Sequence, residues 1–104
     1  MSVEPGQTAT LPCSLPSATT KVWRHQADGN TDDRAITRNG VVVSALSERF
    51  RLTAEGLEIW NVQRTDQGTY TCTDQRDRRH KLLIRLEVLC KAFTKLSAPS
   101  DAYA

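Results

Sequence analysis

The side chains with the most chemistry in this chain are three cysteines, two histidines and one dense run of base. Cys13, Cys72 and Cys90 allow three pairings, and the residues alone do not choose between them. A cross-link would point to an oxidising compartment, whereas buried free thiols would suit an intracellular domain. His80 is far along the chain from His25, so no histidine pair at metal-ligand spacing arises. Arg76, Arg78, Arg79, His80 and Lys81 form the densest basic cluster. Bidentate arginine contacts there could capture an acidic protein patch, a sulfated glycan or an anionic head group. The plainer reading is a solvated hairpin tip whose charge Asp74 and Asp77 partly cancel. No aromatic residue interleaves the basic ones, so stacking on nucleic-acid bases is not expected.

Enzyme chemistry is not expected either. The chain has no glycine-rich phosphate loop, no nucleophile elbow and no His/Cys cluster at metal spacing. Two distant histidines with scattered carboxylates make no acid–base site. No catalytic residue, metal or cofactor is therefore assigned. Asn-x-Ser/Thr is absent, which removes N-glycosylation.

These groups have to be positioned by strands. In Asp66-Gln67-Gly68-Thr69-Tyr70-Thr71-Cys72 the glycine permits a tight turn, and the following residues alternate like a strand with one buried face. Tyr70 and Cys72 then point inward together, and the buried phenol needs a partner that an upstream backbone carbonyl can supply. Pro5-Gly6 signals a turn, and Gln7 to Leu15 reads as a strand with Ala9, Leu11 and Cys13 on one face and Pro12 interrupting the ladder. Pro16-Ser17-Ala18 is a loop, and Thr20 to Gln26 the next strand, with Trp23 inward. Its alternation also carries Lys21 and His25 inward. Lys21 can snorkel to water from the strand's end, and His25 reads as a satisfied structural residue rather than a catalytic group or a ligand.

Further along, Arg34 to Arg38 and Val41 to Ser44 read as short strands joined by a hairpin turn at Asn39-Gly40. Ser47 to Leu52, Gly56 to Val62 and Leu82 to Leu89 supply three more. Trp60 points out of its strand. It either marks an interface or, more plainly, lies across neighbouring aliphatic stems.

A length of 104 residues suits one domain, and 38% hydrophobic with 25% charged residues is ordinary for a soluble globular chain. A net charge of +2 is too small to argue for nucleic acid. No apolar run approaches a membrane span, so membrane insertion is not expected. Met1-Ser2-Val3-Glu4-Pro5 reads as a start placed after a removed leader, although a cytosolic protein would look the same.

A cysteine, then Trp23, then Asp-x-Gly-x-Tyr-x-Cys at Asp66 to Cys72 resembles the immunoglobulin superfamily. The two short strands around Asn39-Gly40 resemble its variable type (V-set), with the intermediate type (I-set) as the alternative. The implied fold is an all-β sandwich of two antiparallel Greek-key sheets over residues 1–90, followed by a linker, stalk or tail over 91–104, where Ser97-Ala98-Pro99-Ser100 falls. The resemblance pairs Cys13 with Cys72, packs Trp23 against that disulfide, and makes Tyr70 the tyrosine corner. It also pairs Arg49 with Asp66 as a structural pin. Cys90 is left over, to bridge two chains, pair with a missing neighbour or stay free.

The same resemblance places an extracellular recognition domain of a non-rearranging immune-type receptor or adhesion molecule. His80-Lys81-Leu82-Leu83 stands where rearranging receptors carry Phe-Gly-x-Gly. A protein ligand, or a second copy, would meet the front sheet through Val22, Arg24, Gln26, Thr71, Thr73, Leu83 and Arg85. The loop with Arg76, Arg78, Arg79 and His80 would bind beside it, with an anionic glycan as a further candidate. A structural or adhesion module in a tandem array is the alternative.

Overall fold

The computed structural model describes residues 1–14, 20–76 and 79–89. The expectations for Pro16-Ser17-Ala18, Asp77, Arg78, Cys90 and 91–104 concern residues outside these. Among the described residues ten strands form: β1 (Ser2–Val3), β2 (Ala9–Pro12), β3 (Lys21–Ala27), β4 (Arg34–Ala35), β5 (Thr37–Arg38), β6 (Val41–Val42), β7 (Phe50–Thr53), β8 (Gly56–Ile59), β9 (Gly68–Asp74) and β10 (Lys81–Val88). A five-stranded front sheet runs β1-β10-β9-β3-β4, a three-stranded back sheet runs β2-β8-β7, and β5-β6 is a separate hairpin.

Period-two alternation closes the two sheets on each other. Along β9, Gly68, Tyr70, Cys72 and Asp74 are buried while Thr69, Thr71 and Thr73 are half-buried on the outer face. Trp23, Tyr70, Leu11, Ile36, Leu57, Ile59 and Leu86 fill the interior. Cys13 and Cys72 are bonded across it with Cα atoms 6.3 Å apart. Their separation of 59 residues makes this cross-link worth about 4 kcal/mol in the chain-entropy view.

Two backbone conformations depend on residue type. Asn39 and Gly40 have φ of 54° and 79°, as a two-residue type I′ hairpin requires, and they join β5 to β6. Gly68 has φ of 146°, and a Cβ there would sit 2.3 Å from the Gln26 carbonyl oxygen. Only glycine lets β9 approach β3 so closely at that row.

Several elements differ from the sequence expectation. The strand expected over Gln7 to Leu15 pairs only over Ala9–Pro12, ending at the proline that cannot donate. The strand expected over Arg34 to Arg38 divides at Ile36, whose N–H bonds the Trp23 carbonyl and whose side chain is fully buried. Its first part pairs with β3 and its second with β6. Ser44 belongs to a short 3-10 turn over Ser44–Leu46 rather than to a strand. Ser47 to Arg49 precede β7, and β8 stops at Ile59, because Asn61 takes a positive φ of 50°. Ser2–Val3 adds a strand that sequence reading did not expect. It pairs parallel with Glu87 and Val88 of β10, so the first strand lies on the front sheet and the back sheet has three strands.

Candidate functional site

The outer face of the front sheet is laid out in rows by its register. Arg85, Thr69 and Gln26 form one row, Leu83, Thr71, Arg24 and Ala35 the next, and Lys81, Thr73 and Val22 the third. Leu83 is 62% exposed, on β10 at the end of the middle row. The arginines on either side are already paired. Arg24 donates from Nε and Nη2 to the two carboxylate oxygens of Asp33, each at 3.0 Å. Arg85 grips Asp28 with two bonds of 2.5 and 2.6 Å, and Glu87 lies 3.6 Å from its Nε. The Arg85 bonds, helped by a hydrogen bond from Gln67, hold the Asp28 carboxyl down at about 2. Gln26 donates its amide to the Asn30 carbonyl at 2.9 Å, so that side chain is partly committed to the adjoining turn. Val22, Thr71 and Thr73 stand half-exposed between these groups.

Above the sheet, the β9–β10 loop starts from a residue that sequence reading placed at the hairpin tip. Asp74 is the last residue of β9 and is 6% exposed. Its carboxylate accepts the Arg76 N–H at 2.9 Å, and its own N–H bonds the His80 carbonyl at 3.0 Å. It therefore fastens the loop and is not a surface counter-charge. The signal was present, since the alternation of Tyr70 and Cys72 carries Asp74 inward as well. Arg76, Arg79 and His80 are exposed.

At the opposite end of β9 the family pin is built as the resemblance implied. Arg49 donates to both oxygens of Asp66 at 2.8 and 3.0 Å, and the Asp66 side chain is 1% exposed. The Gln63 N–H adds a third bond to that carboxylate at 2.8 Å. The Tyr70 hydroxyl donates to the Asp66 carbonyl at 2.6 Å, and burial pushes the phenol's pKa upward. Beside this corner lies a cleft of about 590 Å³ lined by His25, Asp28, Asp32, Arg34, Arg64 and Gln67 among others.

Three other groups have defined partners. Lys21 is half-buried, and its Nζ donates to the Cys13 carbonyl at 2.8 Å. His25 is buried and stacked on Tyr70, with ring centroids 4.2 Å apart. Trp60 is 40% exposed on the back sheet, but the Arg51 guanidinium covers its ring at 4.2 Å and its N–H donates to Glu58. Among the described residues, no three His, Cys, Asp or Glu side chains group closely enough to hold a metal, and no helix is long and apolar enough to cross a membrane.

Comparison with known proteins agrees with this architecture. The extracellular fragment of a point mutant of novel immune-type receptor 11 superposes with a TM-score of 0.62 at 20% identity, covering 83% of this chain and 93% of that one. That likeness concerns the fold. No curated protein sequence matches the chain. The sequence model described as Immunoglobulin V-set domain matches residues 1–89. With the disulfide, the tyrosine corner and the Asn39-Gly40 hairpin already in place, the chain belongs to the immunoglobulin V-set family.

Proposed function

We propose that this chain is a non-enzymatic recognition domain of an extracellular, immune-type receptor, and that it meets a protein partner with the outer face of its front sheet. One observation carries this reading. Leu83 and Thr71 stand side by side on that face, Thr73 and Val22 lie side by side in the next row, and the two arginines set among them, Arg24 and Arg85, are neutralised within the chain by Asp33 and Asp28. A face of this composition costs little to desolvate, and a protruding leucine offers an anchor for a pocket on the partner. The basic residues Arg76 and Arg79 border it and favour an acidic rim, or an anionic glycan, on the other side. A second immunoglobulin-type face, including that of a second copy, has the complementary flatness. The disulfide supports the extracellular placement, because such bonds persist in oxidising compartments.

Sedimentation equilibrium of the wild type and of Leu83→Arg, with and without reductant, tests this directly. The expected result is a concentration-dependent dimer, insensitive to reductant, that Leu83→Arg weakens at least about tenfold, the effect of losing one anchor. A dimer that Leu83→Arg leaves intact, or that reductant abolishes, removes the front face as its basis. A wild type that stays monomeric at every concentration removes self-association.

A further inference from the structure

His25 is 1% exposed, and its ring lies parallel to that of Tyr70, with the planes 10° apart. Nε2 sits 3.2 Å from the Gln67 carbonyl oxygen, which can only accept, so Nε2 carries the hydrogen. Nδ1 sits 3.3 Å from Nη2 of Arg34, which can only donate, so Nδ1 presents its lone pair. A neutral ring satisfies both contacts. A protonated ring sets N–H against N–H and one cation against another at the same spot.

The nearby carboxylates relieve that conflict only in part. Asp66, ahead of β9, is committed to Arg49 and to the Gln63 N–H. Asp28, after β3, is committed to Arg85 and to the Gln67 amide. Arg34 on β4 opposes the imidazolium, Tyr70 on β9 stacks as a neutral phenol, and Arg64 and Asp32 line the adjoining cleft. Burial is the largest influence and lowers the pKa of His25, with Arg34 adding to it, against the opposing Gln67 bond and the weaker pull of Asp66 and Asp28. The cleft lets a proton arrive without unfolding of the core.

The element that Arg34 belongs to is weakly held. β4 has two residues, lies at the edge of the front sheet, and pairs with β3 through Arg24↔Ala35 and His25↔Arg34. Its continuation is tied to β3 by the Ile36 N–H on the Trp23 carbonyl at 2.9 Å. We propose that His25 is an acid-operated latch, whose protonation expels the Arg34 guanidinium into the cleft and loosens the β4 edge while the disulfide-linked core stays closed. The sign follows from the ring's preference for neutrality in the fold. The latch is shut above the ordinary imidazole value of about 6.5 and opens as pH falls through the lower folded value. The latch stands on its own contacts, whether or not the front sheet binds a partner.

The test follows the imidazole signals by NMR in an His80→Asn background, which leaves one histidine, with and without Arg34→Gln. Amide protection is read alongside at about pH 7.5 and about pH 5, the span over which histidine charges. The expected midpoint for His25 lies below that of a free imidazole, and Arg34→Gln moves it upward. Protection of the Ile36 amide should fall relative to the β9 amides at the lower pH. A midpoint at or above the free value overturns the latch, as does one that Arg34→Gln leaves unmoved. Equal loss of protection in β4 and β9 also overturns it, because it would mean general acid unfolding. Arg34 is exposed, so its replacement leaves the core intact.

Discussion

At the Asp66 corner a guanidinium and a carboxylate meet in the interior, whereas on the front sheet the same two groups meet in water. The Asp66 side chain is 1% exposed, against 46% for Asp33, although each carboxylate accepts two arginine bonds of 3.0 Å or shorter. Geometry is thus nearly constant while solvation changes. In the interior the pair cannot be replaced by water, so each partner depends on the other and the corner is fixed. In water the pair competes with hydration and contributes little to stability, but it still cancels charge on a face that has to be desolvated to bind. One chemistry locks the fold and the other conditions a surface.

The largest break in this contrast is Asp66→Ala. It leaves Arg49 half-buried without its counter-ion and removes the acceptor for the Gln63 N–H. The expected loss is about 3–5 kcal/mol, read by urea unfolding at neutral pH. If the variant unfolds too readily to measure, Arg49→Ala reads the same pair from its more exposed side. A loss below about 1 kcal/mol for both would put the corner on the same footing as the surface pairs.

Tyr70→Phe is a smaller probe of the same corner. The ring and its stacking on His25 stay, and only the hydroxyl bonded to the Asp66 carbonyl at 2.6 Å is removed. A buried carbonyl left without its donor costs about 1–3 kcal/mol. The shift in urea midpoint should therefore fall between those of Asp66→Ala and any front-sheet variant, at unchanged m-value. A shift within experimental error would show that the carbonyl finds another donor.

What could be read from the sequence divides along the same line. Cys13, Trp23, Asp66, Tyr70 and Cys72 were legible because a resemblance fixed their roles and the interior leaves each few alternatives. Asn39-Gly40 was legible because few residue pairs tolerate two positive φ values in succession. The parallel pairing of Ser2–Val3 with β10 was not, since it consists of backbone hydrogen bonds to which any side chains would do. Asp74, Lys21 and Ile36 were missed for a different reason. Asp74 and Lys21 are buried or bonded where polarity or a strand end suggested solvent, and the division of the strand at Ile36 depends on the Trp23 carbonyl, a partner distant in sequence. The His25–Arg34 contact also needs the β3–β4 register, which pattern alone does not set.

The smallest expected effect comes from Asp33→Ala, and it is the one that sharpens the contrast most. Asp33 and Arg24 are both nearly half exposed, so solvent screens their attraction and the stability change should stay under about 1 kcal/mol. High salt should reduce even that, since exposed charges are screened over a few ångströms at 1 M. Yet the variant uncovers the Arg24 guanidinium in the same row as Leu83 and Thr71. Self-association through that face should weaken, and the loss should be larger at low salt than at high salt, because two uncovered arginines then oppose each other across the contact. Sedimentation at two salt concentrations, beside urea unfolding of the same protein, reads both effects. A variant that loses stability as Asp66→Ala does would make the Arg24–Asp33 pair a structural one. A variant that changes neither quantity would mean that the charge on this face is of no consequence to what the face meets.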